Sequence, residues 1–105
     1  MDPRIERLEA VIKARKGADP SSSYVASLFA KGTAKIAQKV GEEATETIIA
    51  ALHEGPEKLT SEAADLLFHL SILLADAGLS LDDVLRELER REGVSGIEEK
   101  ASRKG

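Results

Sequence analysis

Apolar side chains recur along this chain at intervals of three and four, the spacing that lines one face of an α-helix, and glycines interrupt the pattern. Asp2 followed by Pro3 reads as an N-cap with proline at the first helical position, and Ile5, Leu8, Val11 and Ile12 form a stripe that stops by Gly17. After the connector GADPSSS, Ser21 or Ser22 caps a second short helix carrying Tyr24, Val25, Leu28 and Phe29 as far as Gly32. Thr33 caps a third helix with Ile36, Val40, Ile48, Ile49 and Leu52, which Gly55 and Pro56 terminate. A fourth helix runs from Glu57 to Ala77, closed by Gly78. In the fifth, Ser80 and Asp83 make a variant of the capping box, and Leu81, Val84, Leu85 and Leu88 follow until Gly93. The pattern predicts five helices and no strand.

The middle of the fourth helix, LLFHLSILLA, is apolar on nearly every face, and such a helix needs neighbours on all sides. One chain of 105 residues has too few helices to surround it, so a second copy is expected to supply the missing wall. The expected architecture is all-α, a single domain over residues 1–105 whose helical hairpins assemble into a four-helix-bundle-like homodimer core. A polar tail over residues 93–105 is expected to be mobile unless a partner or ligand orders it. Aromatic residues are only 3%, which leaves a core of Leu, Ile, Val and Ala. The net charge of −4 lacks the basic excess a nucleic-acid binder needs, and a polyanionic substrate would require a cation between it and the acids. Without cysteine there is no disulfide, thiolate metal site or thiol nucleophile. The N-terminus lacks an apolar signal core, and no segment approaches the roughly 20 apolar residues of a membrane span, so a soluble, cytoplasmic protein is expected.

The acids change the picture. Glu43 and Glu46 are three apart on the third helix, Glu62 and Asp65 three apart on the fourth, and Glu42 flanks the first pair. If the hairpin turns near Gly55, the two pairs lie at heights that differ by a few ångströms at about 1.5 Å per residue, and antiparallel packing brings four or five carboxylates together. Asp65 shares a stripe with Leu66, His69 and Leu73, with Glu62 one turn earlier, so this pair is continuous with the most apolar surface. A lone Glu-x-x-Glu is common on solvated helices; two pairs at matched height beside an apolar run favour a divalent cation that offsets their repulsion. Oxygen-only ligands select Mg²⁺ or Mn²⁺ over zinc. A ferritin-like dimetal site needs Glu-x-x-His, and Ala50 and Leu66 stand three residues before His53 and His69.

Other groups carry less. Lys35 and Lys39, eight and four residues before Glu43, are either phosphate contacts or ordinary salt-bridge partners of the acids. His69 is either a satisfied core histidine, the commoner case in an apolar run, or a hydrogen-bond donor that steadies a ligand; His53 reads as surface. Glu98, Lys100, Arg103 and Lys104 read as a solvated charge run. No serine sits near a base pattern, and there is no P-loop.

The strings SLFAKGTAKIAQKVGEEATETIIAAL, SEAADLLFHLSILLADAGLSLDDVLRELERR and SGIEEKASR resemble the phosphoribosyl-ATP pyrophosphatase family of histidine biosynthesis, within the all-α nucleoside triphosphate pyrophosphohydrolases. The likeness spans roughly Tyr24 to Lys104. It implies a homodimer that hydrolyses phosphoribosyl-ATP to phosphoribosyl-AMP and pyrophosphate with Mg²⁺. It places the metal ligands at Glu43, Glu46, Glu62 and Asp65, with Glu42 as the adjacent acid that orients or deprotonates water and Lys31, Lys35 and Lys39 as phosphate contacts. A housecleaning nucleotide pyrophosphohydrolase with the same metal site is the near alternative, and a non-catalytic helical dimerisation module the distant one.

Overall fold

A computed structural model describes residues 1–93, which form five α-helices and, among these residues, no strand. The expectations for the tail, including SGIEEKASR, Glu98, Lys100, Arg103 and Lys104, lie outside the described residues. Helix α1 (Pro3–Arg15) begins as expected, with the Asp2 carboxylate accepting the Arg4 backbone N–H at 2.8 Å. The cap of α2 (Tyr24–Lys31) is Ser23, not Ser21 or Ser22. Asp19 engages those two serines: its carboxylate accepts from the backbone N–H and hydroxyl of Ser21, and its carbonyl accepts the Ser22 hydroxyl at 2.7 Å.

Helices α3 (Thr33–His53) and α4 (Pro56–Asp76) each have 21 residues and pack as an antiparallel hairpin. The connection is short because Gly55 adopts φ 115°, a conformation that strains any L side chain, and Pro56 then opens α4 at the position where a missing N–H costs nothing. Thr33 does not cap α3 as expected. Gly32 holds that place without a side-chain bond, and the Thr33 hydroxyl instead donates to Asp76 Oδ2 at 2.5 Å, joining the first residue of α3 to the last of α4. The hairpin is therefore closed at both ends.

Ile12, Val25, Leu28, Ile36, Ile72 and Ala75 form the core, with Leu8, Phe29, Phe68 and Leu73 packed against it. They lie where α1 and α2 cover the end of the hairpin away from its Gly55 turn. Helix α5 (Leu81–Arg91) starts from the reciprocal capping box of Ser80 and Asp83, and its Leu81 N–H donates to Glu9 of α1 at 2.9 Å. The expectation that the middle of α4 is enclosed is met only in part by one chain: His69, Ser71, Ile72 and Ala75 are buried, while Leu67 is exposed. Ile48, Ile49 and Leu52 of α3 and Val84, Leu85 and Leu88 of α5 are exposed as well. No single helix among the described residues is long and apolar enough to cross a membrane.

Candidate functional site

The register of the hairpin follows from its turn. Counting out from Gly55, Glu46 and Glu62 lie nine and seven residues away and Glu43 and Asp65 twelve and ten, so each pair is offset by only about 3 Å along the helices. Ligand-capable oxygens of Glu43, Glu62 and Asp65 lie within 4.8 Å of one another. Glu43 and Glu62 are 8% and 7% exposed, and Oε2 of each is buried without a hydrogen-bond partner. Asp65, expected to continue the buried stripe, is exposed at the rim. The reason is helical phase: Glu62 and His69, seven apart, face the packed side, and Asp65 is rotated from them toward solvent.

Glu46 is exposed but faces the same acids. Its carboxyl pKa is raised above the usual 4.5, first by hydrogen bonding with Glu62, then by hydrogen bonding and charge repulsion from Glu43. The structure thus gathers Glu43, Glu46, Glu62 and Asp65 at one place. Glu42 points outward and lies 3.9 Å from Lys39.

Two cations border the acids. Lys39 Nζ is 3.9 Å from Glu43 Oε1, bridging it to Glu42. Lys58 Nζ is 3.1 Å from Glu62 Oε1, and hydrogen bonding to that carboxylate is the main cause of its raised pKa. Lys58 was missed in the sequence, although its spacing of four from Glu62 was a legible signal. Lys35 lies one turn before Lys39 and Lys31 ends α2; neither forms an ion pair with the acids among the described residues. These cations neutralise one oxygen each of Glu43 and Glu62 and leave the other unpartnered. Two buried oxygens of that kind, with a third carboxylate within reach, fit a hard divalent cation.

His69 is neither isolated nor a donor to a carboxylate. It is 5% exposed, and its Nδ1 lies 2.7 Å from the Asp65 carbonyl oxygen, which only accepts, so Nδ1 carries the proton. In the neutral ring Nε2 then accepts the Tyr24 hydroxyl at 2.7 Å. Burial raises the Tyr24 pKa; Lys39 opposes the shift, and Glu43, Glu42 and Asp65 add to it. Tyr24 was read in the sequence only as part of an apolar stripe. Nothing in a spacing of 45 residues reveals this contact.

Residues 5–92 match the family described as phosphoribosyl-ATP pyrophosphohydrolase. A phosphoribosyl-ATP pyrophosphatase of Rhizorhabdus wittichii is 61% identical over 103 residues, covering 98% of this chain and 97% of that one. The proteins of the same name from Erythrobacter litoralis and Zymomonas mobilis are 64% and 62% identical, covering 94% and 91% of this chain and 95% and 90% of their own. With identity of this degree over nearly the whole length, and an acid-lined helical hairpin within the matched residues, the chain belongs to the phosphoribosyl-ATP pyrophosphohydrolase family.

Proposed function

We propose that this protein hydrolyses phosphoribosyl-ATP to phosphoribosyl-AMP and pyrophosphate in histidine biosynthesis, as a cytoplasmic, Mg²⁺-dependent homodimer with one domain per chain. The pair of buried, unpartnered oxygens on Glu43 and Glu62 carries the metal dependence, because such groups are costly to leave without a cation or a donor. Glu43, Glu62 and Asp65 would hold Mg²⁺, or Mn²⁺ in its place, and Glu46 beside them would complete the set. A divalent ion bound there supplies positive charge to the triphosphate oxygens and to the departing pyrophosphate.

The chain's own groups do the rest. Glu42, outside the acid cluster and open to solvent, orients the attacking water and takes its proton as the water oxygen bonds to the α-phosphorus. The α–β anhydride bond breaks, and pyrophosphate leaves with the bonding electron pair. Lys39 holds phosphate oxygens at the edge of the cluster, and Lys35, one turn earlier on α3, and Lys31, at the end of α2, add further phosphate contacts. The uncovered Ile48, Ile49, Leu52 and Leu67, together with the apolar face of α5, support a second chain packing over the hairpin.

Pyrophosphate release from phosphoribosyl-ATP, with ATP and deoxynucleotides as competing substrates, tests this reading. Release is expected with Mg²⁺ and is expected to stop in a chelator, and the metal alone should raise the thermal midpoint by mass action. Equal turnover of ordinary nucleotides would assign the chain a different substrate. Full activity in a chelator would remove the metal from the mechanism.

A further inference from the structure

The chain contains one tyrosine and no tryptophan. That tyrosine stands at the edge of the acid cluster in an unusual setting. Its residue is 51% exposed, yet its hydroxyl is tied to a buried histidine. The His69 ring is held in turn by its bond to the Asp65 carbonyl and by edge-on contacts with Phe68 at 5.4 Å and Tyr24 at 5.7 Å between ring centroids. One hydroxyl therefore pins the first residue of α2 to the turn of α4 that carries Asp65. A tyrosine used only to fill the core would bury its ring. Here the polar end is fixed and the ring presents apolar surface to water.

We propose that the exposed ring of Tyr24 is the platform on which the purine of the nucleotide substrate packs, with His69 as the positioning residue that holds it. This rests on the nucleotide-hydrolysing function proposed above. Three observations lead there. The oxygens of Glu43, Glu62 and Asp65 that would hold the cation lie within 4.8 Å of one another, so a nucleotide whose phosphates engage that cation extends its sugar and base beyond the rim. Tyr24 is joined to that rim through two hydrogen bonds, by way of His69 to Asp65. Because the hydroxyl is already held, little side-chain freedom remains to be lost when a flat ring stacks on it. Base stacking on aromatic side chains is strong and tolerant of base identity, so Tyr24 sets affinity for the nucleoside end and leaves the metal end unaffected.

The single tyrosine also makes the test direct, since tyrosine emission from this protein reports one position. The probes are Mg²⁺ alone, Mg²⁺ with inorganic pyrophosphate, and Mg²⁺ with α,β-methylene-ATP, whose scissile bridge resists hydrolysis. Emission is corrected for nucleotide absorption against a free tyrosine derivative, and binding is measured independently by calorimetry. Tyr24 emission should change with the nucleotide analogue and remain unchanged with metal or pyrophosphate. Tyr24→Leu should weaken analogue binding about tenfold and leave pyrophosphate binding within about twofold. Tyr24→Phe keeps the ring but loses its anchor, and His69→Gln loosens the tyrosine; each should give a smaller loss than Leu, again confined to the analogue. If the analogue binds with unchanged Tyr24 emission and the Leu form binds it as tightly as the wild type, the platform is refuted while the enzymatic reading stands. If the wild type binds neither pyrophosphate nor analogue in the presence of Mg²⁺, the enzymatic reading falls and the platform with it. A Leu form that loses pyrophosphate and analogue equally would make Tyr24 a structural strut, also against the inference.

Discussion

Glu62→Gln is the perturbation with the most informative sign. Glu62 is buried, one of its oxygens has no partner, and it shares the acid cluster with buried Glu43. Two unit charges at the 4.8 Å limit of this cluster repel by roughly 3.5 kcal/mol at an effective dielectric constant of 20. Exchanging one carboxylate for an isosteric amide removes that term and gives the orphaned Glu43 oxygen a possible donor. The ion pair between exposed Lys58 and buried Glu62 is lost, which offsets part of that gain. The net expectation is a gain of about 1–3 kcal/mol for the metal-free protein, or at least about 4 °C in thermal midpoint for a chain of this size. Mg²⁺ should narrow or invert the order. At a concentration 100 times the wild-type dissociation constant, the ion contributes about 2.7 kcal/mol to the wild type, and only about 0.4 kcal/mol to a variant that binds it 100-fold more weakly. The assay is melting with and without chelator, alongside Mg²⁺ titration and turnover. If the Gln form melts lower than the wild type without metal, and both gain equally from Mg²⁺, then Glu62 is an ordinary helix residue and the assignment of the site is wrong.

The remaining expectations concern assembly and pH. Light scattering at micromolar concentration should give twice the 11.3 kDa chain mass. Leu52→Lys, at a position 70% exposed in one chain, should reduce it to a single chain mass; an unchanged mass and midpoint would show that this face is merely solvated. Glu46, with a raised folded pKa, binds its proton more tightly in the folded state. Metal-free stability should therefore rise as the pH falls through the folded value toward 4.5, and saturating Mg²⁺ should abolish the rise. At lower pH the order reverses. Glu87, held at about 2 chiefly by its hydrogen bond to Arg90, contributes stability that is complete above 4.5 and disappears as the pH falls toward 2. Melting midpoints measured from pH 8 to 2 should show a maximum, and a monotonic fall across the whole range would contradict the crowding of the acids.

The helices were legible because their ends carry chemistry that acts locally. Pro3 and the Ser80 and Asp83 pair act through groups within a few residues and occupy their expected places, while the Gly55–Pro56 step ends α3 as expected and also opens α4 one residue before Glu57. The misplaced caps have equally local causes of a competing kind: Asp19 reaches Ser21 and Ser22 before a helix can use them, and the Thr33 hydroxyl finds Asp76 across the hairpin. At the site, the heights of the acids follow from counting along two helices, so the gathering of Glu43, Glu46, Glu62 and Asp65 was readable. Their rotation was not. Which of Glu62 and Asp65 is buried depends on how α4 turns toward α3, and that is settled by packing over its whole length. Tyr24 was hidden for the same reason, since its bond to His69 exists only once α2 has docked on the hairpin.

That docking also explains why the acids cannot relieve their repulsion by moving apart. Gly55 and Pro56 close the hairpin at one end, and the Thr33 to Asp76 hydrogen bond closes it at the other. Between them Ile36 and Ile72, both fully buried, hold α3 against α4 beneath the cover of α1 and α2. A hairpin free at one end would splay and let water reach Glu43 and Glu62. In this one, separating the helices far enough to hydrate the two orphaned oxygens would expose core side chains, each worth about 1.5–3 kcal/mol when fully buried. The inexpensive responses left are a proton on Glu46 or a cation among the carboxylates. The first accounts for the raised pKa of Glu46. The second neutralises several acids at once and becomes the more favourable as the pH rises. The closure of the hairpin at both ends thus holds the acids in a crowded arrangement, and on the reading proposed above a divalent ion would bind there without first reorganising the fold.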